Sequence, residues 1–346
     1  MLPVVINARV LTGNMTGVQR YTSELLTRLG RSVDIIAPNH SLQGFAGHFW
    51  EQVILPRKRY GRLLFSPSNS GPLEVKHQVV TIHDTAVFDF PESFNPRFAA
   101  WYRFLLPKLA QRALKIITVS EFIKDRIVIH TKVSPDKVVV IPNGVDSRFC
   151  PEAASQADQM IAALKLPRSR YILAVGTLEP RKNLDRLFQA WRKIQNHLSQ
   201  DIWLVVAGAG SSQVFNAVHF GNLPARTLLT GHIEDSLLPA LYSGAIGMVY
   251  PSLYEGFGLP PLEAMASGTV VLVGNQSSMP EVVGDAGLLM NPFDVDSIAE
   301  GIYRIVLDVQ LKQELRTKGL SRAKQFSWDD TMRRTWDVLQ SVLANH

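Results

Sequence analysis

Residues 246–268 read IGMVYPSLYEGFGLPPLEAMASG, and this stretch decides how the chain is built. Ile246 to Tyr250 form a continuous apolar run that ends at Pro251, the composition of a strand covered on both faces. From Leu262 the segment LEAMASG favours helix and closes at Gly268. Proline at the start of a helix and glycine just past its end are the expected punctuation. Gly256, Phe257, Gly258 and Leu259 are therefore expected as a tight loop at a helix N-terminus. Backbone N–H groups lack helical partners there and the helix dipole is positive, which suits a phosphate. Glu255 falls on the loop and Glu263 in the first helical turn. A glutamate in a first turn is favourable without any ligand, so the whole pattern carries the inference. Two acidic acceptors beside an anion site suit hydroxyls attached to phosphate, as in a nucleotide sugar.

Outward from this stretch, short apolar runs alternate with helical patterns. VVIN, VDIIA, VVTI, IITV and VVVI read as strands in the first half, and YILAVG, IWLVVAG, TLLTG, IGMVYP and VVLVG in the second. Between them, Val18, Tyr21, Leu25 and Leu29 recur at helical spacing, as do Leu184, Leu187, Phe188 and Trp191. This alternation predicts a doubly wound α/β protein with parallel sheets. The sequence PNGVDSRFCPEAA from Pro142 breaks it, giving domains over 1–150 and 151–327 and a closing helix over 328–346.

Polar residues of interest follow the strands, where open α/β sheets bind ligands. In VGTLEPRKN, residues 175–183, Arg181 and Lys182 precede Asn183, a candidate N-cap. Cations oppose the dipole at a helix start, so an anion held there explains them better; Arg offers a fork to phosphate and Lys a mobile charge. Gly17, in TGNMTGVQRY, would let backbone approach a ligand. His83 and Asp84 end a strand in TIHDTAVFDFPE. VAGAGSS has Gln213 where a dinucleotide fingerprint needs glycine. Asp294 and Asp296 resemble a metal-binding DxD, but Asp296 is also a ready N-cap, and no metal is expected.

The Glu-x7-Glu pattern of Glu255 and Glu263 resembles that of retaining glycosyltransferases of family 4, which have the GT-B fold: two Rossmann-like domains with parallel sheets facing an interdomain cleft. The resemblance covers nearly the whole chain and is most specific in its second half. It implies that Glu255 contacts the donor sugar and Glu263 the ribose, with Gly256 to Leu259 at the diphosphate and sugar. Arg181 and Lys182 would hold the leaving diphosphate. His83 would lie near the reacting sugar, Gly17 in the donor-binding first loop, and Asp84 toward the acceptor. The closing helix would cross back to the N-terminal domain. HDTAVFDFPESFNPRF, from His83, most resembles bacterial mannosyltransferases of polysaccharide or O-antigen assembly. That implies a GDP-mannose donor, a lipid-linked saccharide acceptor and no cofactor besides the nucleotide sugar as substrate. No carboxylate is evidently placed as a nucleophile on the opposite face, so front-side replacement is the expected mechanism. A nucleotide-sugar 2-epimerase on the same fold and a nucleic-acid binding protein using a basic N-terminal face are the alternatives, although no nucleic-acid motif is recognised.

Composition agrees. The chain has 346 residues, enough for two domains, and 46% apolar residues, enough for their cores. One cysteine excludes an intrachain disulfide and a cysteine-based metal cluster, and fits a reducing, cytoplasmic compartment. The start lacks the pattern of a signal peptide, and no run suggests a membrane span. Residues 1–170 carry 22 Lys and Arg against 13 Asp and Glu, whereas residues 171–346 carry 14 against 17. The basic half suggests an anionic partner or a solvated surface. Arg97 to Lys115 is both basic and aromatic: Phe98, Tyr102, Leu105 and Leu109 are expected on one stripe beside Arg97, Lys108, Arg112 and Lys115, with Trp101 among them. Such a helix suits the inner membrane face or packs on a core.

Overall fold

The computed structural model describes residues 3–12, 16–42, 44–151, 159, 162, 170–208, 214–215 and 220–345. It contains two compact units. The first comprises Met1–Asp89, Pro96–Gly144 and Phe326–His346; the second comprises Phe90–Asn95 and Val145–Gln325.

In the first unit, β1 (Val4–Asn7), β2 (Asp34–Ile36), β3 (Leu63–Ser66), β4 (Gln78–Ile82), β5 (Lys115–Thr118) and β6 (Val138–Val140) form a sheet of order 2-1-3-4-5-6. In the second, β7 (Arg170–Val175), β8 (Ile202–Ala207), β9 (Thr227–Gly231), β10 (Gly247–Tyr250), β11 (Val271–Gly274) and β12 (Leu288–Met290) are ordered 12-11-10-7-8-9. All these pairings are parallel. The ten expected runs are strands. β3 and β12 are additional.

Burial explains the continuous apolar runs. Every residue of β1, β3, β4, β10 and β11 is buried, because helices cover both faces of such sheets. The helix Leu184–Ile194 buries Leu184, Leu187, Phe188, Ala190, Trp191 and Ile194, the stripe its spacing implies. The helix Gly17–Leu29 buries Tyr21, Leu25 and Leu29.

The last helix, Trp328–Asn345, belongs to the first unit and packs on Gly17–Leu29 and β5. Trp328 meets Tyr21 with ring centroids 6.1 Å apart, and Arg28 donates to Asp329 at 2.6 Å. Gly144 permits this packing, since a Cβ there would lie 2.1 Å from the Trp328 nitrogen.

In each sheet the chain leaves the first strand in one direction and later returns to pair on its other side. The reversal lies between β1 and β3 in the first unit and between β7 and β10 in the second. Crevices at the carboxyl ends of such strand pairs are the ligand sites of open α/β sheets.

Candidate functional site

The reversal point of the second unit holds the densest charged cluster of the sequence expectation. Lys182 follows β7, and Tyr250 and Glu255 end and follow β10. Lys182 Nζ donates to Glu255 Oε1 at 2.6 Å and to the Tyr250 hydroxyl at 2.7 Å. Each side chain of the ion pair is only 13% exposed. Burial disfavours the Glu255 carboxylate, but Lys182 and Arg181 outweigh it and hold its pKa below the usual range. Burial likewise disfavours the Lys182 ammonium, and Glu255 raises its pKa in spite of that. Both groups are therefore charged at neutral pH.

Arg181 is 7% exposed and donates to Glu179 Oε1 at 3.1 Å and Oε2 at 3.3 Å. The turn that carries both cations is Pro180–Lys182. Asn183 follows it in the left-handed region, with φ 58°, and its side chain caps no backbone N–H. Instead its Nδ2 donates to the carbonyls of Pro251 and Pro292. The expected N-cap is thus a tie between the β7 turn and the loops after β10 and β12. Close approach also shapes this end of the sheet: a Cβ on Gly208 would fall 1.7 Å from the Gly176 carbonyl oxygen.

Gly256 and Phe257 lie in the loop before the helix Leu259–Ala266, with Gly258 as its N-cap residue at φ 113°. Ser278 Oγ donates to the carbonyls of Glu255 and Phe257, and Ser277 Oγ accepts from Glu255 N–H. The loop shape is therefore held from behind by the segment after β11. Two details differ from the expectation. Pro260 and Pro261 carry no N–H, so Leu259 alone supplies a donor among the helix's first three residues. Glu263 falls one turn deeper than its expected first-turn place, is 5% exposed, and accepts from the Tyr242 hydroxyl at 3.1 Å.

Asp294 Oδ1 accepts from Asp296 N–H and is the N-cap of Val295–Leu307. The expected cap, Asp296, lies inside the helix and pairs with Lys193. Asp294 is extended at φ −110° and ψ 115°, the backbone that capping requires, which Asp296 inside the helix lacks. Gln213 and Gly210 lie outside the described residues.

His83 and Asp84 belong to the first unit. His83 follows β4, is 8% exposed, and its Nε2 lies 2.8 Å from the Pro67 carbonyl. A carbonyl only accepts, so Nε2 carries hydrogen and Nδ1 is the acceptor in the neutral ring. Burial lowers its pKa, keeping it neutral. The ring also stands edge-on to Tyr21 at 4.7 Å. Asp84 Oδ1 accepts from Ala86 N–H and tethers the next turn; the Pro67 carbonyl orients the histidine. Gly17 opens the first helix, and residues 13–15 before it lie outside the described residues.

The reversal point of the first unit carries a polar cluster that the sequence did not reveal. Glu51 is fully buried on the π-helical turn Trp50–Ile54. Its Oε1 accepts from Asn7 at 2.7 Å, Ser70 at 3.0 Å and Arg9 at 3.4 Å. Oε2 has no hydrogen-bond partner among the described residues and lies 4.0 Å from His48 Nδ1. Trp101 Nε1 donates to that same Nδ1 at 3.2 Å, which places the neutral His48 proton on Nε2. Burial and Arg9 lower the His48 pKa. Glu51 sits in FWEQV, without motif or spacing to mark it; only the fold brings it to β1 and β3.

Two family descriptions match this chain: Glycosyl transferases group 1 over residues 156–322 and Glycosyltransferase Family 4 over residues 72–149. O-antigen chain mannosyltransferase B of Escherichia coli is 34% identical over 268 residues, covering 76% of this chain and 70% of that one. The chain belongs to glycosyltransferase family 4. Serotype-specific mannosyltransferase WbdA of Escherichia coli is 32% identical over 248 residues, which are 68% of this chain but 30% of WbdA. Sucrose-phosphate synthase from Thermosynechococcus elongatus superposes with a TM-score of 0.77, 20% identity and full coverage of both chains. That likeness establishes the GT-B fold. In the family 4 chain, Arg181, Lys182 and Glu255 come together in the second unit, Gly256 to Gly258 follow Glu255 in the loop, and Leu259 and Glu263 lie on the helix after it. His83, Asp84 and Gly17 lie in the first.

Proposed function

We propose that this glycosyltransferase moves mannose from GDP-mannose to a lipid-linked saccharide in O-antigen assembly, with retention and without a metal. The carrying observation is the Lys182–Glu255 pair at the β7–β10 reversal, beside a glycine loop that opens a helix. The names of the similar O-antigen mannosyltransferases support the sugar and the pathway class. Neither an epimerase nor a nucleic-acid binder is favoured by these relatives.

Arg181 and Lys182 would stabilise the charge that grows on the leaving diphosphate. The bond from sugar C1 to the phosphate oxygen breaks, and one from C1 to the acceptor oxygen forms on the same face. The acceptor proton passes to the departing phosphate oxygen. Glu255, already engaged by Lys182, would orient the sugar. His83 would accept a hydroxyl hydrogen at Nδ1, and Asp84 would lie toward the acceptor.

A membrane-facing acceptor is supported by one face of the helix Pro96–Arg112. Arg97, Phe104, Lys108 and Arg112 are exposed along it, with Trp101 half-buried between them. Phe45 and Phe49 are 85% and 51% exposed on the neighbouring helix Gly44–Phe49, and His48 from that helix meets Trp101. Phe98 and Tyr102 are half-buried and stack on each other at 4.4 Å, while Leu105 and Leu109 enter the core. Lys115 does not join the cationic face, because it starts β5 and donates to the Asp136 carbonyl. The helix continues through Pro107. Among the described residues no helix is long and apolar enough to cross a membrane.

Incubation with GDP-mannose and a membrane lipid extract, followed by NMR of the product anomer, tests the assignment. Transfer of α-mannose from the α-linked donor, undiminished in EDTA, is expected. Inverted product, loss in EDTA restored by magnesium or manganese, or epimerisation without acceptor would each refute the corresponding part. For the membrane, sedimentation with anionic vesicles at low salt should be lost in an Arg97→Gln, Lys108→Gln, Arg112→Gln variant. Equal pelleting with neutral vesicles would overturn the electrostatic attachment.

A further inference from the structure

The segment Phe90–Asn95 lies in the first half of the sequence but belongs to the second unit. Asn95 N–H donates to the Val214 carbonyl at 2.8 Å, and Phe94 forms an antiparallel bridge with Phe215. The Phe94 and Phe215 rings are 5.3 Å apart and tilted by 41°. The Arg181 guanidinium lies 5.1 Å from the first ring and 5.6 Å from the second. These three distances describe a nearly equilateral triangle, so the cation rests in a notch between two rings. Phe94 is 4% exposed and Arg181 7%. The same segment reaches the other side of the site: Phe90 meets Tyr254, the neighbour of Glu255, at 5.5 Å.

We propose that Phe94 and Phe215 are positioning residues that aim Arg181 at the donor diphosphate; this inference rests on the glycosyltransferase reading above. A free arginine side chain has many rotamers, and ordering them on binding opposes affinity. Glu179 orders Arg181 but also offsets its charge. Aromatic faces attract the guanidinium through their quadrupoles without supplying a negative charge. The notch therefore fixes the fork while leaving its positive field available to a diphosphate. In the transition state that field acts without further reorganisation.

The experiment is a double-mutant cycle read by calorimetry. The ligand is whichever of GDP, UDP or ADP the wild type binds most tightly, compared with its parent nucleoside. Phe94→Leu and Phe215→Leu should each weaken the diphosphate roughly tenfold, the scale of a desolvated cation–π contact, and leave the nucleoside unchanged. In an Arg181→Gln background neither should cause a further loss. Replacing Phe94 with increasingly fluorinated phenylalanines keeps the ring's shape and drains its quadrupole. Diphosphate affinity and kcat should then fall in graded fashion while the melting temperature holds. Additive losses in the cycle, equal losses for nucleoside and diphosphate, or no effect of fluorination would overturn the positioning role and leave the glycosyltransferase reading intact. A wild type that binds none of the three diphosphates would overturn both.

Discussion

At the scale of residues, the Lys182–Glu255 pair joins stability to chemistry. Removing one partner leaves an uncompensated charge in a nearly closed site. We predict that Glu255→Ala and Lys182→Ala each destabilise the protein by about 3 kcal/mol, the low end for a buried pair because some exposure remains. The double variant should lose less than the sum, and urea unfolding would show it. Glu263→Ala should instead cost about 1.5–3 kcal/mol of nucleotide binding, read by calorimetry; unchanged affinity would remove Glu263 from the ribose site. Stability should also follow pH in a defined window. His83 and His48 have folded pKa values below the ordinary 6.5, so their contribution is present above 6.5 and lost as pH falls through the folded values. Glu255, depressed below 4.5, extends that loss at lower pH. Lys182, raised above 10.5, contributes below 10.5 and loses its contribution as pH rises through its folded value. The buried hydroxyls of Tyr21, Tyr102, Tyr171 and Tyr250, raised above the ordinary 10.0, begin the alkaline loss earlier, so melting temperature should plateau between 6.5 and 10.0, and His83→Gln should flatten the start of the acid limb. Identical acid limbs for both proteins would exclude His83 from that linkage.

At the scale of elements, local punctuation was legible and its exact register was not. EGFGLPPLE announced a loop and helix because glycine and proline restrict backbone directly. Glu263 moved out of the first turn because the helix starts at Leu259, a boundary that composition places only within a few residues. β3 and β12 escaped notice because each is short, LLFS and LLM, and a few apolar residues do not distinguish strand from helix. Asp296 was the expected cap, and the extended backbone selects Asp294 instead. Its replacement by Ala should cost about 1 kcal/mol in thermal or urea unfolding, as for other lost caps, and added manganese should not alter either protein. Gly258 has a sharper requirement. At φ 113° a side chain is strained, and a Cβ would lie 2.3 Å from Met279 Cε. The methionine tip can yield, but the backbone cannot do so without moving the loop. Gly258→Ala is expected to cost about 1–3 kcal/mol and to weaken diphosphate binding more than nucleoside binding.

At the scale of the molecule, chain order and spatial order diverge, which limits what any linear reading reveals. Glu51 reaches Asn7 and Ser70 across long separations, and Phe94 reaches Arg181 from the other half of the chain. Neither pairing leaves a motif, because each residue's chemistry is ordinary until the fold supplies its neighbour. The last helix shows the same divergence with a testable consequence. Trp328–Asn345 follows the second unit in sequence yet completes the first. Trp328, Leu339 and Val342 are 2%, 0% and 4% exposed, and Thr331 and Arg334 bond the carbonyls of Pro142 and Val140. Each large apolar side chain contributes roughly 1.5–3 kcal/mol by burial, and the helix also covers Tyr21. Their sum is comparable with the marginal stability of about 5–15 kcal/mol typical of a domain. We predict that ending the chain after Gln325 unfolds the first unit and spares the second. Calorimetry should lose one transition and keep the other. Limited proteolysis should degrade residues 1–89 and 96–144 while protecting a fragment within 170–325. If both transitions persist unchanged, the helix does not hold the first unit together; if both vanish, its contribution is not confined to that unit.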